Sequence, residues 1–173
     1  GDTLPSGEVV QADPNMGPDV KFSRKAYLPV RPPTGFGNSG ANIRLMRYAD
    51  ILLIAAEAAN ELGNTTVALE YLNQVRERAR QGNPNILPDV TTTNQDELRN
   101  AIYHERRVEL GMEGWRREDL VRQLRYGEVM RAFAEEYTTL KGANFSDARD
   151  YLLPIPQNEI DYSNGMIQQN PGY

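Results

Sequence analysis

Apolar side chains recur three and four residues apart through two consecutive runs, 43–62 and 66–80, with Gly63 between them. That spacing marks helices with a face turned toward a core, and glycine readily supplies the left-handed turn that ends a helix. The two runs therefore predict an αα-hairpin. In the first, regular from about Arg47, Ile51, Ala55, Ala58 and Leu62 form one stripe and Leu52, Ala56 and Ala59 form its neighbour. An apolar arc this wide implies burial on more than one side. The second run has Asn64 or Thr65 as its cap and Ala68, Leu72, Val75 and Ala79 as its buried stripe. Small residues on facing positions, Ala56 and Ala59 against Ala68, let the two axes approach closely.

The hairpin has the spacing of a tetratricopeptide unit. No second copy follows one repeat-length later, and a lone unit cannot bury both of its faces. Residues 1–43 punctuate any element that tries to start, with Pro29, Pro32 and Pro33 followed by Gly35, Gly37 and Gly40. They read as an extended leader with a short strand at 21–28. After the hairpin, 81–93 reads as a loop. Asn94 and Glu97 form a cap pair for a helix through Leu110. Gly111 and Gly114 loosen the chain before a shorter helix over 115–124 and another over 128–140. Tyr151–Pro156 is short and extended, kept from any central strand by Pro154 and Pro156. The expected class is mostly α: a tetratricopeptide-like hairpin, further helices and extended Pro/Gly-rich segments.

Composition narrows the function. At 173 residues, 39% hydrophobic and 25% charged, the chain fits one ordinary globular domain. Acidic residues outnumber basic ones by 24 to 19, for a net charge of −5. That opposes nucleic-acid binding, which needs a concentrated positive field. With no cysteine there is no disulfide framework, thiolate nucleophile or thiolate metal site. No apolar run approaches the ~20 residues that span a bilayer, and the opening Gly1-Asp2-Thr3-Leu4-Pro5 lacks the basic and apolar regions of a signal peptide.

The candidate chemical residues point away from catalysis. His104 is the single histidine. A zinc-peptidase helix would place a second His at the position of Val108, and a di-iron bundle would place Glu at the position of Ala101. Neither is present, so no metal or other cofactor is expected. Glu105, Glu109 and Glu113 recur at helical spacing, among Arg106, Arg107, Arg116 and Arg117. This reads as a structural charge network rather than a catalytic carboxylate pair. Trp115 has a face suited to stacking on a sugar, although a lone Trp more commonly packs. The nine tyrosines are spread along the chain and define no site. Nucleophile-elbow, phosphate-loop and dinucleotide patterns are missing from the sequence. No catalytic, cofactor-binding or metal-binding residue is assigned, and no ligand-binding residue is named.

Five strings, in order, go beyond general pattern. They are Arg47-Tyr48-Ala49-Asp50-Ile51-Leu52-Leu53 with Ala56-Glu57-Ala58; Leu72-Asn73, Val75-Arg76 and Arg78-Ala79; Glu105-Arg106-Arg107, Glu109-Leu110, Glu113-Gly114, Arg116 and Asp119-Leu120; Leu153-Pro154-Ile155-Pro156 with Glu159-Ile160; and Gln169-Asn170-Pro171-Gly172-Tyr173. Together they resemble the SusD/RagB family over 44–173. The chain departs from that family at Arg117-Glu118, where aromatic residues are common and a more solvated turn is expected. The resemblance implies an α/α superhelix of which 1–173 is the C-terminal portion, with further helices, a signal peptide and a lipid anchor upstream. It also implies an outer-membrane, surface-exposed lipoprotein that captures glycans, or peptides in some members. Such a protein would serve a TonB-dependent, SusC-like transporter without catalysing a reaction. The competing expectation is a helical-repeat scaffold for protein contacts, with no ligand of its own.

Overall fold

The computed structural model describes Lys25, residues 44–137 and residues 142–173. The strand expected at 21–28 and most of the extended leader lie outside the described residues. Six helices follow in order: α1 (Tyr48–Glu61), α2 (Thr65–Arg80), α3 (Gln95–Glu109), α4 (Arg116–Arg122), α5 (Tyr126–Glu136) and α6 (Gln157–Tyr162). No strand occurs among the described residues. The chain divides into two compact units, Gly1–Met112 and Glu113–Tyr173.

In the first unit α1 and α2 form the expected hairpin, and α3 packs against both. Gly63 closes α1. At φ 78 it donates to the Asn60 carbonyl (2.9 Å), while Asn64 N–H reaches back to Ala59 O (2.8 Å). These paired reverse bonds satisfy carbonyls that the helix end would otherwise leave without partners. Residues 44–47 are not helical, so α1 starts later than the apolar run predicts. The core joins Ala49, Leu52, Leu53, Ala56 and Ala59 of α1, Ala68, Leu72 and Val75 of α2, and Leu98 and Ile102 of α3. Ala56 and Ala68 have no solvent exposure, as a close helix crossing at small residues requires. Each large member fully withdrawn from water contributes about 1.5–3 kcal/mol. Only one of the two α1 stripes is buried. Ile51, Ile54, Ala58 and Leu62 remain exposed on the opposite face.

The start of α3 carries a variant of the expected cap. Asn94 Oδ1 accepts from the N–H groups of Asp96 and Glu97, both at 3.0 Å. Glu97 does not reach back to Asn94 directly. Thr92 links them, its hydroxyl accepting from Asn94 N–H (3.3 Å) and donating to the Glu97 carboxylate (2.5 Å).

In the second unit α4 and α5 are in contact. Helix α4 ends two residues before the predicted boundary, and α5 runs from 126 to 136 rather than from 128 to 140. Residues 138–141 are outside the described set. Leu124, at φ 56, terminates α4 as Gly63 terminates α1, with Leu124 N–H to Val121 O (3.1 Å) and Arg125 N–H to Leu120 O (2.9 Å). A side chain in this left-handed position is unfavourable, which is why a helix end without glycine was hard to place from sequence.

Candidate functional site

Along α3 the buried stripe changes character. Leu98 and Ile102 are apolar, yet the same face continues as Glu105, Arg106 and Glu109. Glu105 and Arg106 are each only 4% exposed. Charges this deep need partners, and the hairpin provides them. Arg106 Nη1 donates to Asp50 Oδ1 of α1 at 2.9 Å, with both side chains 4% exposed. Arg76 of α2 donates through Nη1 to Glu105 Oε2 (2.6 Å). Its Nε and Nη2 hold the Pro88 carbonyl at 3.0 and 2.8 Å. One guanidinium therefore ties α2 both to α3 and to the 81–93 loop.

Glu109 is the hub at the end of α3. Its Oε1 accepts from Arg47 Nη1 (2.7 Å) and its Oε2 from Arg78 Nη2 (2.6 Å). Its backbone carbonyl accepts from Arg47 Nη2 (2.9 Å) and Lys25 Nζ (2.6 Å), and Lys25 also donates to Gly111 O (2.9 Å). Cations gathered at a helix C-terminus complement the negative end of its dipole.

The network expected around the glutamates is present, and for Glu105 and Glu109 it draws on arginines of the hairpin. Arg106, expected among the partners of the glutamates, pairs with Asp50 of α1. The partners come instead from Arg47, Arg76 and Arg78 on the hairpin side. Glu113 does not continue the helical spacing of Glu105 and Glu109. Helix α3 stops at Glu109, Met112 and Gly114 take positive φ, and Glu113 belongs to the second unit. With both Glu109 oxygens holding guanidinium donors, this arrangement fastens helices. His104 lies exposed on α3. Among the described residues no cluster of three or more His, Asp or Glu is placed to hold a metal ion.

Sequence reasoning missed a groove beside this network. It has a volume of ≈ 530 Å³ and is open to solvent, lined by Arg47, Tyr48, Leu52, Gln74, Val75 and Arg78. Tyr48 is 73% exposed, and the Arg78 side chain is 61% exposed while bonded to Glu109. Arg47-Tyr48 and Arg78 stand in strings already singled out, but only the packing of α1 on α2 brings them together.

The second unit corrects two further expectations. Tyr126 and Tyr151 are not isolated, since with Phe145 they form an edge-to-face trio with ring centroids 4.7–6.1 Å apart. Arg117 is not turned to solvent either. Its guanidinium lies over the Tyr126 ring at 5.7 Å and Nη2 donates to Tyr151 O (3.3 Å). The cation takes a place in an aromatic cluster, whereas Glu118 is exposed as the solvated turn predicted. Trp115 is half-buried at the start of α4, its carbonyl accepting from Asp119 N–H (3.0 Å).

The profile of the SusD family matches residues 11–173. The chain belongs to the SusD family. Among curated relatives, SusD-like protein P2 of Formosa agariphila is 41% identical over 144 residues, which is 79% of this chain and 28% of that protein. SusD-like protein P38 of the same organism is 42% identical over 127 residues, 71% of this chain and 24% of that protein. A solved structure, a SusD homolog from Bacteroides thetaiotaomicron, superposes with a TM-score of 0.66 at 33% identity, covering 75% of this chain and 26% of the other. The chain thus spans about a quarter of the length of these SusD-family proteins, and its helical architecture is that of the family. No described helix is long and apolar enough to cross a membrane.

Proposed function

We propose that this chain is the C-terminal portion of a nutrient-binding lipoprotein on the outer membrane, exposed at the cell surface. The whole protein captures a glycan, or in a related use a peptide, and delivers it to a TonB-dependent transporter of the SusC-like kind. Capture is non-covalent and involves no catalysed reaction. The observation that carries this reading is the family match along residues 11–173. The site geometry supports it, because Glu105 and Glu109 are committed to arginines that hold three helices together. The described helices act in this reading as framework and partner-facing surface, with ligand contacts made mainly elsewhere in the longer protein.

A helical-repeat scaffold without a ligand is the second reading. It is favoured by the exposed apolar face of α1, where Ile51 and Leu62 are 43% and 78% accessible. Affinity purification of the family-length protein from solubilised outer membranes separates the two. Recovery of a TonB-dependent transporter, with fatty-acid labelling of the bait, supports the first. Recovery from the soluble fraction with neither label nor transporter contradicts it.

A further inference from the structure

Leu152 bends the chain, and Leu153-Pro154-Ile155-Pro156 leads into α6 without regular structure. Between two prolines, Ile155 carries the only backbone N–H of 154–156, and among the described residues no ladder strand lies beside it to accept that proton. The Gln169 side chain does so: Ile155 N–H donates to Gln169 Oε1 (2.8 Å), and Gln169 Nε2 donates to Ile155 O (2.9 Å). One side-chain amide thus satisfies both backbone groups of a residue, as a neighbouring strand would. The next residues continue the pattern. Asn170 Nδ2 donates to Leu153 O (2.7 Å) and Tyr173 Oη to Leu152 O (3.1 Å). The Tyr173 ring lies 5.9 Å from the Arg149 guanidinium, which is itself held by Asp150 through Nε (2.5 Å) and Nη2 (3.0 Å). Gly172 has φ 89 and lies against the Arg149 stem, where a Cβ would stand 2.8 Å from Cγ.

We infer that residues 169–173 are a strap that closes the 155–169 loop and thereby holds α6 in its helical form. Helix α6 has six residues, none of them buried. A helix this short is not stable by itself, and Ile160 is its one half-buried residue. What fixes its two ends is the strap across Ile155 and Gln169. When the strap opens, the 149–155 stretch and α6 loosen as one unit, separately from the three-helix core.

Amide hydrogen exchange on the 173-residue chain tests this. In Gln169→Ala, the Ile155 amide should exchange about tenfold faster or more. The α6 amides of Ile160 and Ser163 should accelerate with it, while those of Leu98 and Ile102 in α3 keep their rates. Gln169→Glu keeps the acceptor for Ile155 N–H but loses the donor to its carbonyl, and should give a smaller acceleration at the same amides; it stands in if the alanine variant does not fold. Tyr173→Phe, which keeps the ring over Arg149, should accelerate them only slightly. An unchanged Ile155 rate in Gln169→Ala overturns the inference. Acceleration at Ile155 with α6 as protected as before overturns it too.

Discussion

Arg106 and Asp50, 56 positions apart, form a deeply buried ion pair, both side chains 4% exposed. Removing one partner of such a pair strands the other charge away from water, whereas replacing both with apolar groups costs far less. Arg106→Met should therefore destabilise the chain by about 3–5 kcal/mol, and Asp50→Leu with Arg106→Met should restore most of the loss; urea denaturation of the parent and the two variants measures it. Neither partner was legible as a pair, because helical periodicity within α3 reports its own face and nothing about which carboxylate on α1 meets it. Asp150 gives a pH-dependent counterpart. The Arg149 hydrogen bonds, with Ser146 N–H as second cause, hold its carboxyl down at about 2 against an ordinary 3.8. A lowered folded value favours folding fully above pH 3.8, and the contribution is lost as pH falls through about 2. Stability against acid should accordingly fall less steeply across that window in Asp150→Asn than in the parent. Leu124 carries the opposite kind of effect. At φ 56 and 80% exposed, it adds left-handed strain without a buried contact. Leu124→Gly should raise the midpoint of thermal unfolding by a few degrees, a gain of up to about 1 kcal/mol.

At the scale of elements, α2 does more than complete a hairpin. Asn73, Arg76 and Arg80 share a face of α2 and fasten the 81–93 loop along it. Asn73 pairs with both backbone groups of Val90 (2.9 Å each), Arg76 holds Pro88 O, and Arg80 holds Leu87 O (2.7 Å) and the Asp89 carboxylate. Val90 thereby packs against the core. Asn73→Ala should cost about 1–3 kcal/mol, since both Val90 groups lose their partner, and should speed exchange at the Val90 amide ahead of the α2 amides. Existence and type of α1, α2 and α3 were legible because their apolar stripes are long, with Gly63 ending α1 and Asn94 capping α3; Asn64, expected to cap α2, stands at its start but makes no capping side-chain hydrogen bond, and Gln81 at φ 50 ends that helix. The ends of α4 and α5 were not, because Leu124 occupies a glycine-like position and Tyr126 opens a helix without a capping side chain. The loop-fastening role of Asn73 was equally hidden, since an amide that satisfies a residue 17 positions away leaves no periodic trace.

For the whole molecule, the sequence strings pointed to the family and the fold agrees with it, while the ligand-contacting residues were not legible. The structure explains why. The charged block of α3 is engaged by Arg47, Arg76, Arg78 and Asp50, and the terminal string by backbone groups of 152–155. The bonds these strings make within the chain hold it together. The chain also spans about a quarter of the relatives' length, and the Ile51, Ile54 and Leu62 face of α1 remains exposed. The central claim, that the described residues are framework within a nutrient-binding protein, is tested most directly by calorimetric titration of a panel of neutral and acidic oligosaccharides. The titration is run in parallel into the 173-residue chain and into the family-length protein that carries it. The account requires saturable binding of at least one oligosaccharide by the longer protein, and binding at least about tenfold weaker, a difference of about 1.4 kcal/mol or more, by the 173-residue chain. Equal affinity in both would place the ligand site among the residues described, with the Arg47–Tyr48–Arg78 groove the first place to look, and would contradict the framework assignment.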